Sequence, residues 1–220
     1  MITSTNYVES PDISGTRVVW TQFDSSMSHS AIYEKNLETG KIGKILTSKQ
    51  NQFNPKISGK MVVWDQTVSF GHNAVYYKNL ATRAYGKIAI SKHDQEDPAI
   101  DGTRVVWEQY NTSNNAVIYE KNLKTGNIIE LSKSKHTQEH PAISGTRVVW
   151  DEIVTVGDSD VGSVYVKNIA KGTVSRVLKS VKDQFNCDIS CTRVVWAQDT
   201  ATGSVVYVKD LITGKIRVVS

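Results

Sequence analysis

The chain has 220 residues, of which 39% are apolar and 22% charged, with four prolines. That composition suits a globular chain with apolar material for a real core, and no run of about eighteen apolar residues marks a membrane span. Its 26 basic and 22 acidic residues leave a net charge of +4, far from the dense basic stripe of a nucleic-acid binder, so nucleic acid is not an expected partner.

Taken in order, the chain opens with MITSTNYVES, which has neither a basic start nor an apolar stretch. No secretory signal is therefore expected in the chain as given, which leaves open a mature or excised fragment of a longer exported protein. The next segment, PDISGTRVVWTQ from Pro11 to Gln22, returns four times: NPKISGKMVVWDQ (Asn54 to Gln66), DPAIDGTRVVWEQ (Asp97 to Gln109), PAISGTRVVWDE (Pro141 to Glu152) and NCDISCTRVVWAQ (Asn186 to Gln198). The five tryptophans, Trp20, Trp64, Trp107, Trp150 and Trp196, share one place in it, at spacings of 44, 43, 43 and 46. A period of this size signals a repeat architecture.

Each copy predicts four strands. A brief strand at P-x-I-S meets a tight turn at S-G or D-G, and R-V-V-W follows with β-branched residues that favour a pleated strand. Alternation puts Val18 and Trp20 on one face and Val19 on the other, and a strand apolar on both faces belongs between two packed sheets. The third strand is AIYEKNL, AVYYKNL, VIYEKNL, VYVKNI or VYVKDL, with recurring Tyr33, Tyr76, Tyr119, Tyr165 and Tyr207, and Lys35, Lys78, Lys121, Lys167 and Lys209. A turn at Thr39-Gly40, Thr82-Arg83, Thr125-Gly126, Lys171-Gly172 or Thr213-Gly214 leads into a short fourth strand. No segment shows the period of a helix.

Four antiparallel strands per repeat define the blade of a β-propeller. The expected fold is all-β: a single propeller over 1–220 with five four-stranded blades of about 43–46 residues, near 5–48, 49–91, 92–132, 133–180 and 181–220. MITSTNYVES aligns with the end of a fourth strand and the loop after it, as in Ile45 to Asn54, so it could add a strand beside the last one.

The repeats resemble the TolB-like propeller family, and especially the ISG-x-x-VVW version of archaeal and bacterial surface proteins, over nearly the whole chain. Departures fall at Cys187 and Cys191, at Met61 where other copies have Arg, and at Arg83 where Gly is expected. The resemblance implies a propeller used for interactions at a cell envelope, with an extracellular or cell-surface location, and offers no catalytic residues to carry over. A cytoplasmic location stays open. Cys187 and Cys191, four residues apart, would sit roughly 13 Å from each other along a strand, beyond disulfide reach unless the turn folds them back. Free thiols are expected.

Loops between the first and second and between the third and fourth strands emerge on one face and are stereotyped turns. The irregular loops emerge on the other, with all five histidines (His29, His72, His93, His136, His140) and all four phenylalanines (Phe23, Phe53, Phe70, Phe185). Interblade segments share Gln52, Gln95, Gln138 and Gln184, where the first copy has Val8. These amides either satisfy loop backbone groups or, with His93, His140, Phe53 and Phe185, line a ligand site at the channel mouth. The Trp and Tyr sets are expected to be packing residues, and the lysines a solvated outer stripe.

No cofactor or metal is expected. His93 with Asp97, and His136 with His140, offer ligands in irregular loops that fix no tetrahedral site. Asp158-Ser159-Asp160 resembles the start of a calcium loop without the distal Glu. Nor is an enzyme expected: Asp12, Asp101, Asp188, Glu108, Asp151 and Glu152 are carboxylate candidates, but no acid pair is identifiable from spacing. The expected function is a non-enzymatic, monomeric binding or scaffold module for a protein or glycan. The alternatives are a propeller glycoside hydrolase, which needs converging carboxylates, and a multivalent lectin, which needs near-equivalent sites in each blade.

Overall fold

The structure is a computed structural model and describes residues 6–69, 71–111, 115–157 and 159–219. Residues 1–5, Phe70 and Asp158 lie outside that set. Twenty strands form five four-stranded antiparallel sheets, each built from consecutive strands, and the described residues contain no helix. The first blade is β1 (Val8–Ser14), β2 (Arg17–Phe23), β3 (Ser30–Asn36) and β4 (Ile42–Lys44); the second is β5 (Gln52–Ser58), β6 (Met61–Ser69), β7 (His72–Asn79) and β8 (Tyr85–Lys87). The third holds β9 (Gln95–Asp101), β10 (Arg104–Tyr110), β11 (Ala116–Asn122) and β12 (Ile128–Glu130). The fourth holds β13 (Thr137–Ser144), β14 (Arg147–Val156), β15 (Ser159–Asn168) and β16 (Thr173–Arg176), and the fifth β17 (Gln184–Ser190), β18 (Arg193–Thr200), β19 (Gly203–Asp210) and β20 (Ile216–Val218). These are five blades of the β-propeller class.

The first strand of each blade starts about three residues earlier than the P-x-I-S motif suggests, so the shared glutamines lie in strands rather than in loops. The physical reason is a bulge at the proline position, which Cys187 holds in the fifth blade. Register slips between Glu9 and Asp12, Phe53 and Lys56, Glu139 and Ala142, and Phe185 and Asp188, and a bulge is where a residue without an N–H fits a paired strand. The residue before it takes a positive φ: Ser10, Asn54, Asp97, His140 and Asn186 lie at 45–54°.

The chain divides into two compact units, Met1–Val105 and Val106–Ser220. In the first, Val19, Ile32 and Ile45 on the trailing face of the first blade form one buried cluster with Ile57, Val62 and Trp64 on the leading face of the second. In the second, Val149, Val164 and Val177 of the fourth blade pack on Cys187, Ile189, Val194 and Trp196 of the fifth. The pleat supplies both faces from each V-V-W run, as alternation requires. On every leading face the Trp stacks on the third-strand Tyr of its own blade, with ring centroids 5.7–6.1 Å apart.

Three polar clasps recur between neighbouring blades within a unit. A first-strand Gln accepts a third-strand N–H of the preceding blade: Gln52 from Ile32 at 3.1 Å, Gln95 from Val75 at 3.4 Å, Gln138 from Ile118 at 3.1 Å and Gln184 from Val164 at 3.3 Å. A third-strand Lys donates back to a fourth-strand carbonyl, Lys78 to Ile45, Lys167 to Leu131 at 2.6 Å and Lys209 to Val177 at 2.5 Å. A turn N–H donates to a Ser Oγ one blade earlier, Gly59 to Ser14, Gly102 to Ser58 and Cys191 to Ser144, each at 2.9 Å. These three lysines are therefore latches rather than the solvated stripe expected from the sequence: the pleat indicates their face, but not the carbonyl waiting across the seam.

Candidate functional site

Two groups of side chains gather where the bulges meet the residue after each Trp. That position holds Thr21, Asp65, Glu108, Asp151 and Ala197, and the three acids are buried. In the second unit they serve the bulge backbone of the next blade. Glu108 Oε1 accepts the His140 N–H at 2.6 Å, and Asp151 accepts the N–H groups of Asn186 at 2.8 Å and Cys187 at 3.4 Å. The second bond to Asp151 exists because the fifth copy has Cys187 where the others have a proline, which carries no N–H.

Asp65, in the first unit, lies buried beside two further acids, Asp97 and Glu96. The residue after its bulge neighbour Asp97 is Pro98, so no second backbone donor stands there. Its Oδ1 is buried without a hydrogen-bond partner among the described residues. Asn54 Nδ2 donates to Asp97 Oδ1 at 2.7 Å and Asn54 Oδ1 accepts from Ser10 Oγ at 3.2 Å. Burial, followed by the neighbouring charges of Asp97 and Glu96, pushes the Asp65 carboxyl up to about 8. Glu96 is also raised, chiefly by burial, although Asn73 Nδ2 donates to it at 2.7 Å. A proton-holding acid beside a second carboxylate is thus present in this unit, but Asp65 is only 2% exposed.

In the second unit a pocket of about 110 Å³ opens between the fourth and fifth blades, lined by Glu139, His140, Asp151, Asp160, Asp183 and Phe185 among others. His140 Nδ1 lies 3.3 Å from Asp151 Oδ2, with the imidazole half exposed and the carboxylate buried. Asp183 is fixed by accepting the Gly162 N–H at 2.5 Å, and Asp160 by the Thr155 hydroxyl at 2.7 Å. A Cβ on Gly162 would be driven into the Gln184 carbonyl oxygen, so glycine is required for this wall. The pocket offers aromatic surface, an imidazole and several carboxylates, a combination suited to a hydroxyl-rich or cationic group.

Of the residues expected at a ligand site, His140, Phe185 and Gln184 come together in this pocket. Gln52, Gln95 and Gln138 lie one per blade, buried, with their side-chain oxygens on backbone amides. Phe53 is half-buried against Phe23, ring centroids 6.3 Å apart, and His93 is half-buried in the loop before β9. Asp65 and Asp183 were not among the candidates read from sequence. The signal for Asp65 is the acid after Trp in three successive copies; Asp183 has no such marker. Among the described residues no group of three or more His, Cys, Asp or Glu is placed to hold a metal ion, and no helix is long and apolar enough to cross a membrane.

No family model and no curated protein matches the chain. Solved structures do. A TolB-type protein from Agrobacterium tumefaciens aligns over 98% of this chain and 81% of its own at TM-score 0.72 and 15% identity. An oligogalacturonate lyase from Vibrio parahaemolyticus aligns over 93% of this chain at TM-score 0.70 and 14% identity, and a puromycin-hydrolysing peptidase from Mycobacterium tuberculosis over 98% at 0.73 and 15%. The chain spans 62% and 37% of those two enzymes. The likeness shows the fold, a TolB-like β-propeller, in company that includes both a TolB-type protein and enzymes.

Proposed function

We propose that the chain is a non-enzymatic binding module of the ISG-x-x-VVW repeat type that presents its irregular loops and bulges to a protein or glycan ligand, as part of a cell-surface protein. The observation that carries this reading is the pocket lined by Glu139, His140, Asp151, Asp183 and Phe185. Its aromatic wall and carboxylates match the apolar surface and few placed polar groups of a recognition site. The bulge position differs in every blade, Ser10, Asn54, Asp97, His140 and Asn186, which favours one distinctive site over a multivalent lectin with equivalent ones. The test is binding of the wild type and of Phe185→Ala to a broad glycan array and to a panel of lysine- and arginine-bearing peptides. Selective binding that the substitution weakens about tenfold or more supports the reading; a flat wild-type response on both overturns it.

A glycoside hydrolase is the second reading, and it rests on Asp65 beside Asp97. An acid held protonated next to a second carboxyl group is the pairing such chemistry needs. The burial of Asp65 weighs against it, because a general acid must reach the glycosidic oxygen. Release of chromophore from aryl glycosides by the wild type and not by Asp65→Asn would favour this reading over the first.

A further inference from the structure

The pocket of the second unit exists because the seam between the fourth and fifth blades is short of side chains. Between the first and second blades the corresponding place is filled by Phe23 against Phe53, ring centroids 6.3 Å apart. The fourth and fifth blades carry Ile153 and Phe185 at those two positions, and the Phe185 ring has no aromatic partner among the described residues. Gly162 pairs with Ile153 as Ser30 pairs with Phe23 and Asn73 with Thr67. All three give their N–H to the residue before the shared Gln, Gly162 to Asp183, Ser30 to Asn51 and Asn73 to Asp94. The Asn73 side chain also donates to Glu96, the acid of its own seam. Gly162 has no side chain with which to do the same.

What remains is a wall of acceptors. Both side-chain oxygens of Glu139, and the second oxygens of Asp160 and Asp183, accept no hydrogen bond from the described residues. Asp151 adds a buried carboxylate, held by the Asn186 and Cys187 N–H groups. No lysine or arginine lines the pocket, His140 lies against Asp151, and the amide of Gln184 already donates to Gln198 at 2.9 Å.

Two comparisons select the ligand. A sugar hydroxyl both donates and accepts, so a wall of acceptors leaves half its capacity unmet, whereas a guanidinium carries five N–H donors and no acceptor. Volume points the same way. The 110 Å³ of the pocket falls below the roughly 150 Å³ of a cavity that encloses one six-membered ring, and suits a flat head whose stem reaches out. The Phe185 ring supplies a face on which a guanidinium stacks, a contact made more often by arginine than by lysine.

We propose, resting on the binding-module reading above, that this pocket takes the guanidinium of an arginine side chain presented by a protein partner. The head stacks on Phe185 and donates to the open oxygens of Glu139, Asp160 and Asp183.

Titration of the isotope-labelled 220-residue protein with an end-capped Gly-Gly-Arg-Gly-Gly peptide, followed by amide NMR shifts, tests it. The expected result is a set of shifts centred on Gly162 and Phe185 that saturates with a Kd on the order of 1 mM. The same peptide with citrulline, which keeps the shape and loses the charge, is expected to bind at least about tenfold more weakly. Phe185→Ala is expected to weaken the arginine peptide about tenfold, and Asp183→Asn, which keeps an oxygen for the Gly162 N–H, about threefold or more. The spectra of the two variants show that they fold. Equal affinity for the arginine and citrulline peptides, shifts confined to residues outside the pocket, no saturation by about 20 mM, or an unchanged Kd in either variant overturns the proposal. Glycan binding that Phe185→Ala weakens, without a response to the arginine peptide, overturns this assignment and leaves the binding-module reading standing, whereas no response to either ligand overturns both.

Discussion

Asp65 shows how burial beside two other acids alters a side chain's chemistry. Folded, its carboxyl keeps its proton up to about 8, where an ordinary aspartate releases it near 3.8. The folded state therefore binds this proton more tightly than the unfolded one, so its stabilising contribution is full below about 3.8, falls as pH rises, and is gone above about 8. Asp65→Asn is expected to flatten stability against pH across that window and to exceed the wild type at pH of about 9 by on the order of a few kcal/mol; denaturant unfolding at a series of pH values measures it. Two turn residues carry backbone strain where the other repeats have glycine. Cys191 has φ 55° where Gly15, Gly59, Gly102 and Gly145 lie at 56–59°, and Arg83 has φ 63° where Gly40, Gly126, Gly172 and Gly214 lie at 70–78°. Left-handed backbone costs a side-chain-bearing residue about 1–2 kcal/mol, so Cys191→Gly and Arg83→Gly are each expected to raise unfolding free energy by about 1 kcal/mol, less what glycine adds to unfolded-state entropy. Both positions stand out in the sequence as departures from the repeat, because turn geometry is local. The environment of Asp65 does not, because it depends on a bulge that brings Asp97 of the next blade to it.

Between neighbouring blades the third strand contributes more than its apolar residues. Lys78, Lys167 and Lys209 bury their stems and give an ammonium proton to a carbonyl of the preceding blade, and burial lowers Lys167 from the ordinary lysine value. A charged donor to a backbone acceptor contributes about 1.5–3 kcal/mol when buried, and these half-buried latches less. Lys78→Met and Lys167→Met should each cost about 1–2 kcal/mol, whereas Lys35→Met, measured at a protein concentration of about 1 µM, should change stability by less than about 0.5 kcal/mol. Equal losses at all three positions would show that the carbonyl latch is not the cause. Strand order, the two-faced V-V-W strand and the tight turns were legible in the sequence because period-two patterning and turn residues are properties of the element itself. The glutamine and lysine clasps were not, since each is half of a contact whose other half is a backbone group with no sequence signature.

At the scale of the whole molecule, a repeat protein's stability is a sum of blades and of the junctions between them, and the exposures vary along the chain as that sum requires. Trp64, Trp107, Trp150 and Trp196 are fully buried, while Trp20 is half-buried on the first blade. Replacing Trp107 by Ala should cost about 3–5 kcal/mol, the usual loss for a large aromatic deleted from a closed core. Trp20→Ala should cost roughly half as much in dilute protein, because part of the ring already faces solvent and leaves no closed cavity. Thermal unfolding of both variants beside the wild type measures the difference, and equal costs would show that the half-buried Trp20 ring is as closely packed as that of Trp107.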